Sequence, residues 1–381
     1  MKLTHLFATA LLALGTTAFG ATSRPNVVFI AVDDLRPEFG AYGADYIKSP
    51  NLDRLAKSGL TFHRAYCQQA VCSPTRSSLM TGTRPDTTKV WDLVTHFRDA
   101  LPNVVTLGQH FKNNGYFVQG MGKIYHGGYD DPATWTVPWQ TPKAPTYARP
   151  ENVAMTKGNF ESEPDGDPAP KSGGKKSKKR VDKEAARGPR GPAFEAGEVA
   201  DNYYQDGKVC DLALATMRDM AQKPQPFFLA VGFIKPHLPF VSPKKYWDLY
   251  DRASVPLAPF QQMPQGSPHD LAFYSHSGEL RSYSDVPKSG PIPEPLQREL
   301  IHGYAACVSY IDAQVGLLMK TLETAGIADN TIICLWGDHG WHLGEHGHWG
   351  KVTDYEDATH APLIIAAPGK KLLPRVTVPV E

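Results

Sequence analysis

The chain has 381 residues, 41% of them apolar and 21% charged, which excludes wholesale disorder. Its 40 basic and 39 acidic side chains leave a net charge of +1, so no global field exists to hold nucleic acid or an anionic membrane. Length alone suggests about two or three domains, although an open α/β sheet can run this long as one.

In chain order, the first feature is an address. Lys2, the apolar run 6–14 and the small-residue site Ala18-Phe19-Gly20 have the layout of a secretory signal peptide. Residues 1–20 are expected to direct export, periplasmic or secreted, with the mature chain starting near Ala21. The run is too short to span a bilayer and no later segment qualifies, so no membrane span is expected. In an oxidising compartment the five cysteines (Cys67, Cys72, Cys210, Cys307, Cys334) cannot all pair with one another. Cys307 and Cys334 lie in apolar runs and read as small buried hydrophobes.

Asn26 to Val32 is a β-branched run suited to a strand buried on both faces, and it stops at Asp33-Asp34. Ser49-Pro50 opens a short helix that ends at Gly59. A helix over about 104–114 and a strand over 116–121 follow, the latter leading into Gly122-Lys123-Ile124-Tyr125-His126. From about 127 to 200 periodicity vanishes, and 171–190 holds nine basic residues against two acids. This stretch reads as a long insertion or surface loop, 130–200 in round terms, partly disordered. Its basic run could steer a polyanion or be simply solvated, and Trp135 and Trp139 could be a sugar platform or loop packing. Beyond it come a helix near 203–221 and a strand over 226–234 ending in Lys235-Pro236-His237. A Pro-rich connection leads to a long helix over about 295–325, a strand 331–336 ending at Gly337-Asp338-His339, and a last strand 362–367.

Strands alternating with helices predict an α/β fold, a mostly parallel central sheet with helices on both faces. Four strands end in ionisable residues, and ligands of open α/β sheets bind beyond the strands' carboxyl ends. Asp33, Asp34, Asp338 and His339 would then form one oxygen-rich cradle. Adjacent carboxylates tolerate burial only with a cation, and this donor set favours Ca²⁺ or Mg²⁺ over Zn²⁺. The stretch His342-Leu343-Gly344-Glu345-His346 matches a zinc-peptidase pattern, but that pattern needs a helix, and the glycines at 340, 344, 347 and 350 make this one a loop. These histidines are expected at a loop rim.

Cys72-Ser73-Pro74-Thr75-Arg76 is the second constellation. Pro74 suits the first turn of a helix reaching Gly82, which puts residue 72 at the helix N-terminus and Arg76 one turn above it. The spacing does not fit a cysteine phosphatase, and on these grounds alone Cys72 could still be a plain buried thiol.

The pentapeptide resembles the C-x-P-x-R signature of type I, formylglycine-dependent sulfatases, and Asp33-Asp34 and Asp338-His339 resemble that family's metal pairs. Further stretches, Val32 to Pro37, Thr83 to Thr88, Phe228 to Gly232, Lys235 to His237 and Asp338 to Gly347, resemble its iduronate-2-sulfatase-like subgroup. The resemblance spans Pro25 to about Gly369 apart from 130–200. It implies an alkaline-phosphatase-like sandwich and a catalytic domain over 21–381. It also implies a formylglycine made from Cys72 by a maturation enzyme, and one Ca²⁺ held by Asp33, Asp34, Asp338, His339 and position 72. Arg76 would steady the formylglycine hydrate, Lys123 and Lys351 would hold the sulfate, His126 would be the base that ejects it, and His237 would assist the leaving alcohol. The implied substrate is a sulfated polysaccharide, foremost a 2-O-sulfate on a terminal uronic acid of a glycosaminoglycan. A phosphate or phosphonate ester hydrolase with the same nucleophile, and a polysaccharide-binding protein with unconverted Cys72, remain alternatives. In the family a further helix and a small antiparallel subdomain normally follow the last strand, so a truncated C-terminal subdomain and uncovered apolar surface are expected.

Overall fold

The computed structural model describes residues 24–156, 190–266, 277–369 and 375–381. The expected signal peptide and all of the basic run except Arg190 lie outside these residues.

Strand β1 (Asn26–Val32) is buried at every position, as its unbroken apolar run requires. Its side chains alternate between two cores. Val28, Ile30 and Val32 join a core shared with the helices Gln205–Met220 and Glu294–Thr324. Val27, Phe29 and Ala31 join a second core with Met80 of the helix Cys72–Thr81 and with Phe97, while Leu107 and Phe111 of the helix Leu107–Asn113 pack beside it. Helices therefore cover both faces of one sheet. Its order is β11-β2-β10-β7-β1-β5-β3, with β2 at Leu60–Phe62, β3 at Phe117–Gly122, β5 at Phe227–Phe233, β7 at Thr331–Gly337, β10 at Leu363–Ala366 and β11 at Arg375–Val376.

The four strands β7, β1, β5 and β3 are adjacent and parallel. Val32 lies opposite Gly337 on one side and Phe233 on the other, and Gly122 lies opposite Gly232. Their carboxyl ends are thus level, which places Asp33, Asp338, Ile234 and Lys123 side by side. The last long strand, β10, runs antiparallel to β7 and β2.

The stretch expected to be structureless is ordered at both flanks. Trp135 is 3% exposed and packs against Gly120, where a Cβ would come within 2.6 Å of its ring. Trp139 donates from Nε1 to Gly122 O at 2.7 Å. Trp135 is a packing group rather than part of a sugar platform, and Trp139 is half-buried against the same core. A strand β4 (Phe194–Gly197) pairs in parallel with β6 (Phe240–Pro243), inside what reads as a Pro-rich connection. Alternation is too brief in such short strands to be read. No disulfide joins the five cysteines, and Cys334 is half-buried rather than buried.

Candidate active site

The site grows out of the turn after β1. Asp34 takes the left-handed conformation (φ 58°), and its backbone N donates to Asp338 Oδ1 at 3.0 Å. Asp338 N in turn donates to Val32 O at 3.2 Å, so the two strand ends brace each other. Tyr304, from the middle of the long helix, donates to Asp34 O at 2.8 Å and accepts from Arg36 N at 2.9 Å. Asp33, Asp34, Asp338 and His339 are all fully buried.

Cys72 is the first residue of its helix, preceded by extended Val71, and the helix closes on left-handed Gly82. Thr75 donates from Oγ1 to Asp338 O at 3.0 Å, anchoring the first turn over the end of β7. Cys72 Sγ then lies 3.4 Å from Asp33 Oδ1 and 3.3 Å from His339 Nε2. Burial and the Asp33 charge push its thiol well above the ordinary value. Without a metal cation beside it, an unmodified Cys72 thus holds its proton more firmly than an ordinary thiol. Arg76 is buried and bonds Asp338 Oδ2 through Nε (3.0 Å), pairs with Asp33 Oδ1 (3.3 Å), and donates to the carbonyls of Lys123 and Ile124. It ties three strand ends to one helix.

The remaining expected residues gather on the same edge. Lys123 Nζ lies 2.5 Å from Asp33 Oδ2, and Lys351 Nζ lies 2.8 Å from Asp34 Oδ1. Burial acts to raise the Asp33 carboxyl, but Lys123, His237 and Arg76 hold it well below the ordinary carboxylate value. His126 is buried beside Tyr129, their rings stacked at 6.2 Å. His237 donates from Nδ1 to Leu238 O at 2.7 Å, which turns Nε2 toward Asp34 Oδ2 (3.9 Å) and Glu279 Oε1 (3.1 Å). Glu279 has no signal in the sequence. It comes from the four-residue helix Gly278–Arg281, deep in the Pro-rich connection.

The donor set suits a hard divalent cation. Ligand atoms of Asp33, Asp34, Cys72 and His339 lie within 4.8 Å of one another, all buried. Asp34 Oδ2 is buried and accepts no hydrogen bond among the described residues. His339 donates from Nδ1 to Gly340 O at 3.0 Å, which leaves the Nε2 lone pair facing the cluster. Asp338 borders the group, its Oδ1 taken by two backbone N–H donors and its Oδ2 by Arg76. With Cys72 replaced by an oxygen donor, three oxygens and one imidazole would face the ion, a set that fits Ca²⁺.

A second trio, His342, Glu345 and Asp357, also clusters, but its cation is already present. Arg36 reaches Glu345 at 2.9 Å and Asp357 at 3.4 Å. The segment is not a zinc-binding helix, as expected, but where a loop was expected it forms a short β-hairpin, β8 (His342–Leu343) with β9 (Trp349–Gly350). His342 is not at a rim, however. It is fully buried and hydrogen-bonded through Nε2 to Thr353 Oγ1 at 2.9 Å.

A family model described as Sulfatase matches residues 25–377. The chain is 38% identical to the iduronate 2-sulfatase of Homo sapiens, over 94% of this chain and 62% of that protein. It is 32% identical to a sulfatase of Formosa agariphila, over 94% of this chain and 67% of that protein. Among solved structures, the phosphonate monoester hydrolase of Silicibacter pomeroyi superposes with a TM-score of 0.68 at 23% identity, covering 94% of this chain and 71% of that one. The chain thus spans about three fifths of the length of the human relative.

Proposed function

This chain belongs to the sulfatase family, and on that premise we propose that it hydrolyses sulfate esters at the edge formed by β7, β1, β5 and β3. The observation that carries the proposal is Cys72, buried at a helix N-terminus between Asp33 and His339 with Arg76 one turn above. A formylglycine hydrate made from Cys72 would supply the nucleophile, and a Ca²⁺ held by Asp33, Asp34, His339 and an oxygen at position 72, with Asp338 bordering the group, would supply charge that favours its ionisation.

The other residues have roles that follow from place and charge. Arg76 fixes position 72 against Asp33 and Asp338. Lys123 and Lys351, drawn onto the carboxylates here, would hold sulfate oxygens once a divalent ion neutralises Asp33 and Asp34. Such fixed cations stabilise charge that spreads over the sulfuryl oxygens in the transition state. His237 gives its Nε2 proton to the departing alcohol, and His126 takes the proton that must leave position 72 when sulfate is ejected.

For substrate, the likeness to iduronate 2-sulfatase supports a 2-O-sulfate on a terminal uronic acid of a glycosaminoglycan or related polysaccharide. Export to the periplasm or medium, through residues 1–20, accords with such a polymeric substrate. Among the described residues no helix is long and apolar enough to cross a membrane.

The test is chemical. The chain is produced with a formylglycine-generating enzyme, the peptide containing residue 72 is weighed, and turnover of sulfate and phosphonate esters is compared. Replacement of the thiol by an aldehyde, with faster turnover of the sulfate ester, is the expected result. An intact thiol in an active preparation overturns the nucleophile, and preference for the phosphonate ester overturns the reaction class.

A further inference from the structure

Glu279 belongs to no motif, yet one carboxylate touches two groups of the site. Its Oε1 lies 3.1 Å from His237 Nε2 and its Oε2 lies 3.5 Å from Lys351 Nζ. The side chain is 27% exposed, so it stands at the mouth of the site rather than beneath it.

Its placement is fastened to the residues it touches. Ser277, immediately before the short helix, accepts through Oγ from Trp349 N at 2.9 Å. Trp349 opens β9, the strand that delivers Lys351 two residues later. Arg281, at the end of the same helix, donates to the carbonyls of Pro287 and Gly290. The Ser277–Trp349 hydrogen bond therefore joins the helix to the segment that carries Lys351.

Without Glu279, Lys351 and His237 would share only the Asp34 carboxylate, at 2.8 and 3.9 Å, and their mutual repulsion would be less offset at the site mouth. With it, the His237 ring is held at both nitrogens, by Leu238 O at Nδ1 and by Glu279 at Nε2. Burial acts to raise the Glu279 carboxyl, but Lys351 and His237 lower it well below its ordinary value, so it is a carboxylate at working pH.

We propose that Glu279 is a positioning residue, holding Lys351 and His237 in the one arrangement that supports departure of a poor leaving alcohol. The inference rests on the sulfatase reading. In the step concerned, an oxygen of the hydrate at position 72 bonds to sulfur as the ester S–O bond breaks with its electron pair going to the leaving oxygen, and the His237 Nε2 proton shifts from Glu279 to that oxygen. A sugar alkoxide needs that proton, whereas a para-nitrophenolate leaves readily without it.

The matured full chain, wild type and with Glu279→Gln or Glu279→Asp, is assayed on para-nitrophenyl sulfate and on a 2-O-sulfated uronic acid glycoside. Glu279→Gln is expected to lower kcat on the sugar sulfate by ~10–100-fold and on the aryl sulfate by under ~3-fold, with KM little changed. Glu279→Asp, which keeps the charge, is expected to recover part of the loss. Equal losses on both esters mean a merely structural role and overturn the inference, as does no loss on either. Wild-type protein that carries formylglycine and hydrolyses neither ester overturns the sulfatase reading itself, and this inference with it. The two failures are thereby distinguished.

Discussion

Arg76 shows what single residues do here. It is fully buried against Asp33 and Asp338, and removing one member of such a cluster strands the others. Arg76→Ala is expected to lower stability by about 3–5 kcal/mol in urea unfolding, and a loss under about 1 kcal/mol would show that the carboxylates are satisfied without it. Cys72→Ala removes only a small buried group, so melting should shift little while turnover falls to background; retained turnover refutes the nucleophile. The His237–Glu279 pair adds a pH dependence. Glu279 is depressed from 4.5, so its contribution is present above that value and lost as pH falls through the folded one. His237 is opposed by burial and Lys351, but Asp34 and Glu279 outweigh them and raise it from 6.5, so its contribution is present below 6.5 and lost as pH rises through the folded value. The melting difference between metal-depleted wild type and Glu279→Gln should therefore be largest between pH 4.5 and 6.5 and shrink on both sides. A difference flat across pH would mean that the pair is not ionic. Legibility at this scale followed chemistry. Asp33, Asp338, Lys123 and His237 stand just past apolar runs, where a charge is conspicuous. Glu279 is invisible because a four-residue helix, held by the Ser277–Trp349 hydrogen bond and by Arg281, leaves no periodicity to read.

At the scale of elements, the level ends of the four parallel strands do the assembling. Gly122 and Gly232 make β3 and β5 meet there. Gly122 has φ 66°, and a Cβ on it would stand 2.0 Å from Gly232 O. Gly122→Ala should therefore cost about 1–3 kcal/mol in chemical denaturation and displace Lys123, which follows it directly. Unchanged stability would show that the strand end can shift freely. The long strands and helices were readable because burial on both faces or a capped 3.6-residue period leaves a strong pattern. The helix expected from 104 starts at Leu107 because Thr106 caps it, its Oγ1 accepting from Gln109 N at 3.3 Å. The flanks of the 130–200 region were missed for another reason. Trp135 and β4 are held by distant partners, Gly120 and β6, and tertiary contacts of that kind leave no local signature.

For the whole molecule, the net charge of +1 conceals a local concentration of opposite charges on one sheet edge. A cation bound there stabilises the native state alone. Ca²⁺ at about a hundred times its Kd should add about 2.7 kcal/mol and raise Tm, and Asp33→Ala with Asp34→Ala should erase that shift. A Tm indifferent to Ca²⁺ and chelator would remove the metal from the site. The burial of Cys72 also sets a schedule. At 3% exposure the thiol is closed in by Asp338 and His339, which follow it in the chain by roughly 270 residues and leave a synthesising machine, at ~5–20 residues per second, some tens of seconds later. An enzyme that rebuilds this side chain would need a still open chain, because the finished sheet closes over it. The catalyst would then be made before the fold that employs it.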